Sequence, residues 1–238
     1  NALIIYRRIW VNRLGGEFVA EAQVWHNNYL FTEFYQPFEA RGRLFSAAYG
    51  QVGQYTRPVF VNDDRIAEYL AREARFGLDV GATLGTWGEV RIGPLYRDVR
   101  SEVETGPPVL PEIKANASGV RMRVVGDRLD GPWFPRSGHR AALTAFSTAS
   151  ALGADESYQR YEGLLTAAAS IGPHTLNATI LGGTSAGSNL PPYDPFILGG
   201  PFRLSGYQIG QFSGQSAVFA NVRYYHQIHR LPSLIGSG

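Results

Sequence analysis

Five consecutive residues, Gly183-Thr184-Ser185-Ala186-Gly187, spell G-x-S-x-G. That spacing suits the nucleophile elbow of acyl-transfer enzymes. There the glycines allow a strained turn that lifts a serine hydroxyl between a strand and a helix N-terminus. Residues 176–181 alternate like a strand in front of the motif. Behind it runs Ser188-Asn189-Leu190-Pro191-Pro192, and paired prolines cannot open a helix of useful length. A triad histidine must also follow, and only His226 and His229 do. Ser185 therefore reads as part of a Gly/Ser-rich turn, and serine hydrolysis is the minority reading.

The other reactive groups are sparse. His226 and His229 stand three apart on an expected strand, hence on opposite faces, which makes a poor metal pair. There is no cysteine, so no disulfide and no thiolate ligand. Asn62-Asp63-Asp64 reads as a solvated turn. Asn116-Ala117-Ser118 and Asn177-Ala178-Thr179 match the glycosylation pattern but fall inside expected strands. No catalytic, cofactor-binding or metal-binding residue is assigned. Arginine is more informative, because Lys114 is the single lysine. Arg75, Arg91, Arg97, Arg121, Arg123 and Arg223 fall on or near polar strand faces, with Glu89, Asp79 and Glu162 as candidate partners. Ion pairs lining a lumen fit this pattern better than arginines in lipid, where each costs roughly 2–4 kcal/mol at mid-depth.

The elements that must carry these residues are strands. In residues 218–228, Val218, Ala220, Val222, Tyr224, His226 and Ile228 share one face, and Phe219, Asn221, Arg223, Tyr225 and Gln227 share the other. The same period of two recurs along the chain. About twelve strands are expected, near 2–11, 17–26, 29–38, 43–60, 66–83, 88–103, 113–127, 138–151, 158–171, 174–182, 192–199 and 215–229. Residues 65–75 also contain good helix formers, but the unbroken alternation from Phe76 favours one long strand. Asn27-Asn28, Gly106-Pro107-Pro108 and Gly153-Ala154-Asp155 mark breaks between strands. The apolar faces hold many alanines and valines, with aromatics near strand ends, and a tight soluble core is hard to build from these. Lipid asks only for apolarity, so an antiparallel transmembrane β-barrel is the expected fold. Net charge is +2, which suggests no nucleic-acid partner. No apolar run approaches the ~20 residues of a membrane helix, and the N-terminus is not a signal peptide.

Two stretches carry a family resemblance. Asp127-Arg128-Leu129-Asp130-Gly131-Pro132-Trp133-Phe134-Pro135-Arg136-Ser137-Gly138 resembles the D-x-x-D-x-x-x-F-P-x-x-G hairpin of bacterial surface-antigen outer-membrane barrels. Phe196-Ile197-Leu198-Gly199-Gly200-Pro201-Phe202-Arg203-Leu204-Ser205-Gly206-Tyr207 is similar to that superfamily's F-x-x-G-G-x-x-x-x-R-G-Y/F loop. The superfamily contains outer-membrane assembly factors and two-partner secretion transporters. Trp10-Val11-Asn12-Arg13-Leu14-Gly15-Gly16-Glu17 and Thr32-Glu33-Phe34-Tyr35-Gln36-Pro37-Phe38 look like the barrel of patatin-like, type Vd autotransporters.

The resemblance implies a bacterial outer-membrane barrel over residues 1–238, with sixteen strands when complete and truncated here at its C-terminal end. It implies an external loop, near 198–214, between strands eleven and twelve that folds into the lumen. It implies export or display of a passenger, with outer-membrane lipid, the barrel-assembly machinery and the chain's own passenger domain as partners, and no cofactor. Gly199, Gly200, Arg203, Gly206 and Tyr207 are the expected loop residues, holding it in the lumen, so that Gly206→Val should impair assembly. Asp127, Asp130, Phe134, Pro135 and Gly138 are expected to shape the hairpin. Ser205 stands where the family has its loop arginine, and Arg203 lies two residues early. A general outer-membrane assembly factor is the runner-up; a soluble β-sandwich binding module is a further alternative.

Overall fold

The computed structural model describes residues 2–228 apart from positions 26, 40, 62, 108 and 202. His229 and the Asn62, Pro108 and Phe202 positions of the motifs above lie outside the described residues. The chain is a meander of antiparallel strands: β1 (Ala2–Arg8), β2 (Glu17–Val24), β3 (Asn28–Pro37), β4 (Leu44–Val61), β5 (Asp64–Thr83), β6 (Gly88–Thr105), β7 (Ile113–Asn116), β8 (Gly119–Asp127), β9 (Gly138–Thr148), β10 (Gln159–Ile171), β11 (His174–Thr184), β12 (Phe196–Leu198), β13 (Phe212–Gly214) and β14 (Ser216–His226). Twelve of them form one sheet in the order β1-β2-β3-β4-β5-β6-β8-β9-β10-β11-β14, with β7 paired to β6; β12 and β13 make a separate small hairpin. One 3-10 turn, Ser150–Leu152, is the only helical element among the described residues. Residues 65–75 are strand throughout.

Two expected strands differ in detail. The stretch 113–127 is interrupted at Ala117-Ser118. Register with β6 continues across the break, from Asp98↔Asn116 to Leu95↔Gly119. At the break the Ser118 hydroxyl, not a main-chain carbonyl, accepts the Arg97 N–H at 3.1 Å, while the Ser118 carbonyl accepts from Ala149. The stretch 192–199 is not a wall strand. Its first residues form a proline-bounded turn, and only Phe196–Leu198 pair, with β13. Ten wall strands of seven residues or more therefore precede the long loop, and the count reaches eleven only with the four-residue β7.

Alternating burial separates two faces. On β5, Ala71, Glu73 and Asp79 are buried while Phe76, Leu78 and Val80 are exposed. On β14 Val218 and Val222 are more than 70% exposed. This outer band is apolar, as lipid demands. The inner face carries the ion pairs: Arg91 to Glu33 at 2.8 Å and to Glu89 at 2.7 Å, and Arg121 to Asp79 at 3.1 Å. It also stacks rings on glycines. A Cβ at Gly77 would overlap the Tyr49 phenol on its cross-strand partner, and one at Gly81 would overlap the Phe45 ring. Arg121 then covers Tyr49 at 4.6 Å and Arg91 covers Phe45 at 5.2 Å. Tyr49, Leu95, Val99 and Phe146 of the wall meet Leu190, Tyr193 and Phe196 of the long loop in a buried cluster.

Candidate functional site: a strap across the lumen

The segment between β11 and β14 leaves the wall through a tight turn. Ser188 N–H donates to the Ser185 carbonyl, and Ala186 and Gly187 both take left-handed backbone angles. Ser185 is 5% exposed and its N–H donates to Gln215. No helix follows it, so the G-x-S-x-G spacing builds a turn and lacks the elbow's strand–turn–helix frame.

Beyond it, Pro191-Pro192-Tyr193-Asp194 makes a second turn, the Asp194 N–H donating to the Pro191 carbonyl at 2.9 Å, and this turn brings Asp194 to β6 while Phe196 stays beside β11. Asp194 is the centre. Its carboxylate accepts both guanidinium arms of Arg97 on β6, at 2.9 and 3.1 Å, and the Tyr158 hydroxyl at 2.9 Å. Arg97 also donates to Glu73 on β5, which takes two bonds from Arg75, at 2.6 and 3.0 Å. Arg160 lies 3.6 Å from the Asp194 carboxylate, donates to its carbonyl, and pairs with Glu162 at 2.7 Å. Three guanidiniums, of Arg75, Arg97 and Arg160, thus face three carboxylates, of Glu73, Glu162 and Asp194. Arg97, Glu73 and Asp194, none more than 10% exposed, are tolerated away from water only because they are mutually paired. On either side, Arg57 of β4 donates to the Tyr193 carbonyl, and the Phe196 ring lies on Gly183 of β11 under the Arg160 guanidinium at 4.0 Å. The strap is thereby tied to β4, β6, β10 and β11, and through Arg97 to Glu73 of β5.

The tip, residues 199–211, reaches the end of the β4–β5 hairpin, where Gln211 donates to Asp63 at 3.2 Å. A model of the Omp85 superfamily domain matches residues 15–230. The chain belongs to the Omp85 superfamily. Its fold is similar to the crystal structure of BamA from Haemophilus ducreyi lacking POTRA domains 1–3, with a TM-score of 0.70 at 14% identity over 87% of this chain. The match spans 43% of that BamA chain. No curated protein matches the chain in sequence. The Omp85 barrel is an outer-membrane protein of bacteria, and its apolar outer band and charged inner face suit that setting.

The Omp85 loop motif divides in two. Gly199 and Gly200 have φ of +124° and +98°, and a side chain on Gly199 would overlap the Gln208 carbonyl, so both need glycine. Arg203 is exposed; its guanidinium donates to the Ile197 carbonyl of the same loop at 3.3 Å. Tyr207 packs on Phe212 at 4.8 Å. Gly206 has open space around it and an ordinary φ, so the structure gives no steric basis for the expected harm of Gly206→Val. Ser205 is exposed. The residues that join this loop to the wall are Tyr193 and Asp194, ahead of the motif, and Phe196, its first residue. Their one sequence signal is an acid between prolines where solvent exposure gives no reason for three.

The Asp127–Gly138 hairpin closes around its two aspartates. Asp127 accepts the Leu129 N–H, and Asp130 accepts the Arg136 N–H at 2.8 Å and the Ser137 hydroxyl at 3.1 Å. The Ser137 backbone N–H, with these donors, holds the Asp130 carboxyl below its ordinary range. Gly138 has φ of +98°, and a Cβ there would overlap the Arg128 carbonyl. Phe134 meets Tyr225 edge-on at 5.9 Å, Pro135 accepts the Tyr225 hydroxyl, and Arg136 donates to Gln227 and to the Gly172 carbonyl. The hairpin therefore folds over the ends of β10, β11 and β14.

Proposed function

We propose that residues 1–238 form the barrel through which a passenger joined to the same protein is anchored and displayed at the cell surface, a patatin-like lipase being the passenger that the Trp10–Glu17 and Thr32–Phe38 stretches suggest. The observation that carries this reading is the strap. A segment ionically tied across the lumen is a restraint that can be released, whereas a packed core cannot be without unfolding. Asp194 and Arg97 hold the strap, and this chain itself makes and breaks no covalent bond. Arg203, Gly206 and Tyr207, at the exposed tip, are the part of the loop free to meet a passing or docking chain. The test is display: protease accessibility of the passenger on whole cells, with Asp194→Asn expected to reduce display while barrel abundance is retained. Full display in that variant would remove the strap from the mechanism.

The likeness to BamA favours a second reading, a general assembly factor for other outer-membrane proteins. Depleting the protein separates the two. Loss of many barrels from the outer membrane supports assembly; loss of a single surface passenger supports autotransport.

A further inference from the structure

One row of residues crosses the outer face where the apolar band ends. Asn28, Gln54, Arg72, Arg100 and Lys114 are successive cross-strand partners on β3, β4, β5, β6 and β7. Direct partners share a face, and this one is outward, since the neighbouring Glu73, Val99 and Ala115 are buried on the other side. The next row on the same face is Leu30, Val52, Ala74, Asp98 and Asn116, and the one after is Thr32, Gly50, Phe76 and Tyr96. Along β5 the outward side chains then run Phe76, Leu78, Val80, Ala82. From Arg72 to Ala82 is about 33 Å of strand at ~3.3 Å per residue. Tilted by ~40°, that becomes about 25 Å, the height of a barrel's apolar band. The row therefore lies at headgroup level.

Three cations stand directly beside one another in that row, an arrangement that repels. The same sheet places Arg75 opposite Arg97 on its inner face, and there Glu73 bridges both. Outside no acid is shared. Arg72 reaches Glu102 at 3.0 Å and Arg100 reaches Asp98 at 3.1 Å; both guanidiniums are more than half exposed, so each pair is of little worth. Lys114 has no ion-pair partner among the described residues. Beside the row opens a groove of ≈ 770 Å³ lined by Val24, Leu30, Val52 and Ala74, with Arg72, Arg100 and the Asp98 carboxylate that Arg100 holds at its head.

We propose that this row binds the phosphate of a lipid headgroup, with an acyl chain lying in the groove. Each guanidinium offers a planar fork to two phosphate oxygens, and Lys114 adds a point charge. The Gln54 amide extends the donor set. The apolar groove and the headgroup depth select a lipid over a free anion. Only the choice of leaflet, the external one, rests on the loop-out orientation used above.

Native mass spectrometry of the full-length protein in neutral detergent tests it, with phosphatidylglycerol as probe and diacylglycerol of the same chains as its uncharged counterpart. Phosphatidylglycerol is expected to be retained over diacylglycerol. Each basic residue removed is expected to weaken retention roughly fivefold, and all three, as Arg72→Gln, Arg100→Gln and Lys114→Gln together, roughly a hundredfold. Lys114→Gln alone leaves both arginine ion pairs in place, so its roughly fivefold loss is readable even where the triple variant misfolds. Arg65→Gln, which removes the same charge at the hairpin tip, is expected to change nothing. Equal retention of the two lipids, retention undiminished in the triple and Lys114 variants, or release of phosphatidylglycerol by inorganic phosphate would overturn the proposal. Labelling of a Gln211→Cys variant on intact cells by an impermeant thiol reagent supports the external leaflet; lipid retention without labelling overturns the orientation and leaves the lipid site standing.

Discussion

Asp194 is the residue on which the strap turns, because its carboxylate is 10% exposed and bound to a guanidinium that is 7% exposed. Removing one partner of such a pair leaves the other charged and dry, at a cost of roughly 3–5 kcal/mol. Asp194→Ala should therefore free the strap and expose residues 199–211 to limited proteolysis, and Arg97→Ala should do the same and also leave Glu73 with Arg75 as its one ion-pair partner among the described residues. Replacing both by apolar residues of like size should cost much less than either single change, which a double-mutant cycle on proteolysis rates would show. At the Asp127–Gly138 hairpin the prediction is one of pH. The Asp130 carboxyl is held below its ordinary value by donors present only in the fold. Its contribution is thus complete above the unfolded value of about 3.9 and is lost as pH falls through the lower folded value. Protection of the Arg136 amide from hydrogen exchange, taken relative to the intrinsic rate, should fall below about pH 4, and in Asp130→Asn that fall should vanish. Beyond an acid set among three prolines, nothing in the sequence marks the role of Asp194. Arg97 could be read as an inner-face arginine from strand period alone, but its partners Glu73 and Asp194 are chosen by how β5, β6 and the strap meet in space.

Strands, by contrast, announce themselves, because the alternation that places Val218 outward and Asn221 inward is written residue by residue. Two elements escaped for a shared reason. At Ala117-Ser118 a hydroxyl replaces one ladder bond, and at 192–199 an apolar-looking run is bound by side-chain anchors with only three residues paired. Neither substitution changes hydrophobic period. The two glycines of the strap region make a paired test at this scale. Gly183→Val would push a side chain into the space the Phe196 ring occupies, lifting the ring off β11 and away from Arg160; destabilisation of roughly 1–3 kcal/mol, as for other overpacked sites, is expected. Gly206→Val meets nothing. In cold-detergent gel mobility the first should lose the compact band at a lower temperature than the parent, and the second should match it. A reversed order would place the loop's hold on the wall at the tip instead of at Phe196.

At the scale of the molecule, each wall strand from β1 to β11 pairs with the next along the chain except β7 with β8, where β8 pairs with β6 instead, so the sheet is a succession of local closures. The strap bonds are of another kind: Arg97 to Asp194 spans 97 residues, Arg57 to Tyr193 spans 136, and Gln211 to Asp63 spans 148. Contacts between distant residues form slowly, since the intervening chain must be ordered or looped first. The prediction is kinetic. In refolding into detergent, strand content should appear before protection of residues 199–211 from protease, and Asp194→Asn should abolish the later phase and spare the earlier one. Until that phase, Arg97 and Glu73 face an interior still open to water; when Asp194 arrives, β11 is already built and the two sides of the wall stand at the right separation. The ion pair is thus a clock as well as a tie: it marks the moment at which a sequence of hairpins has become one object.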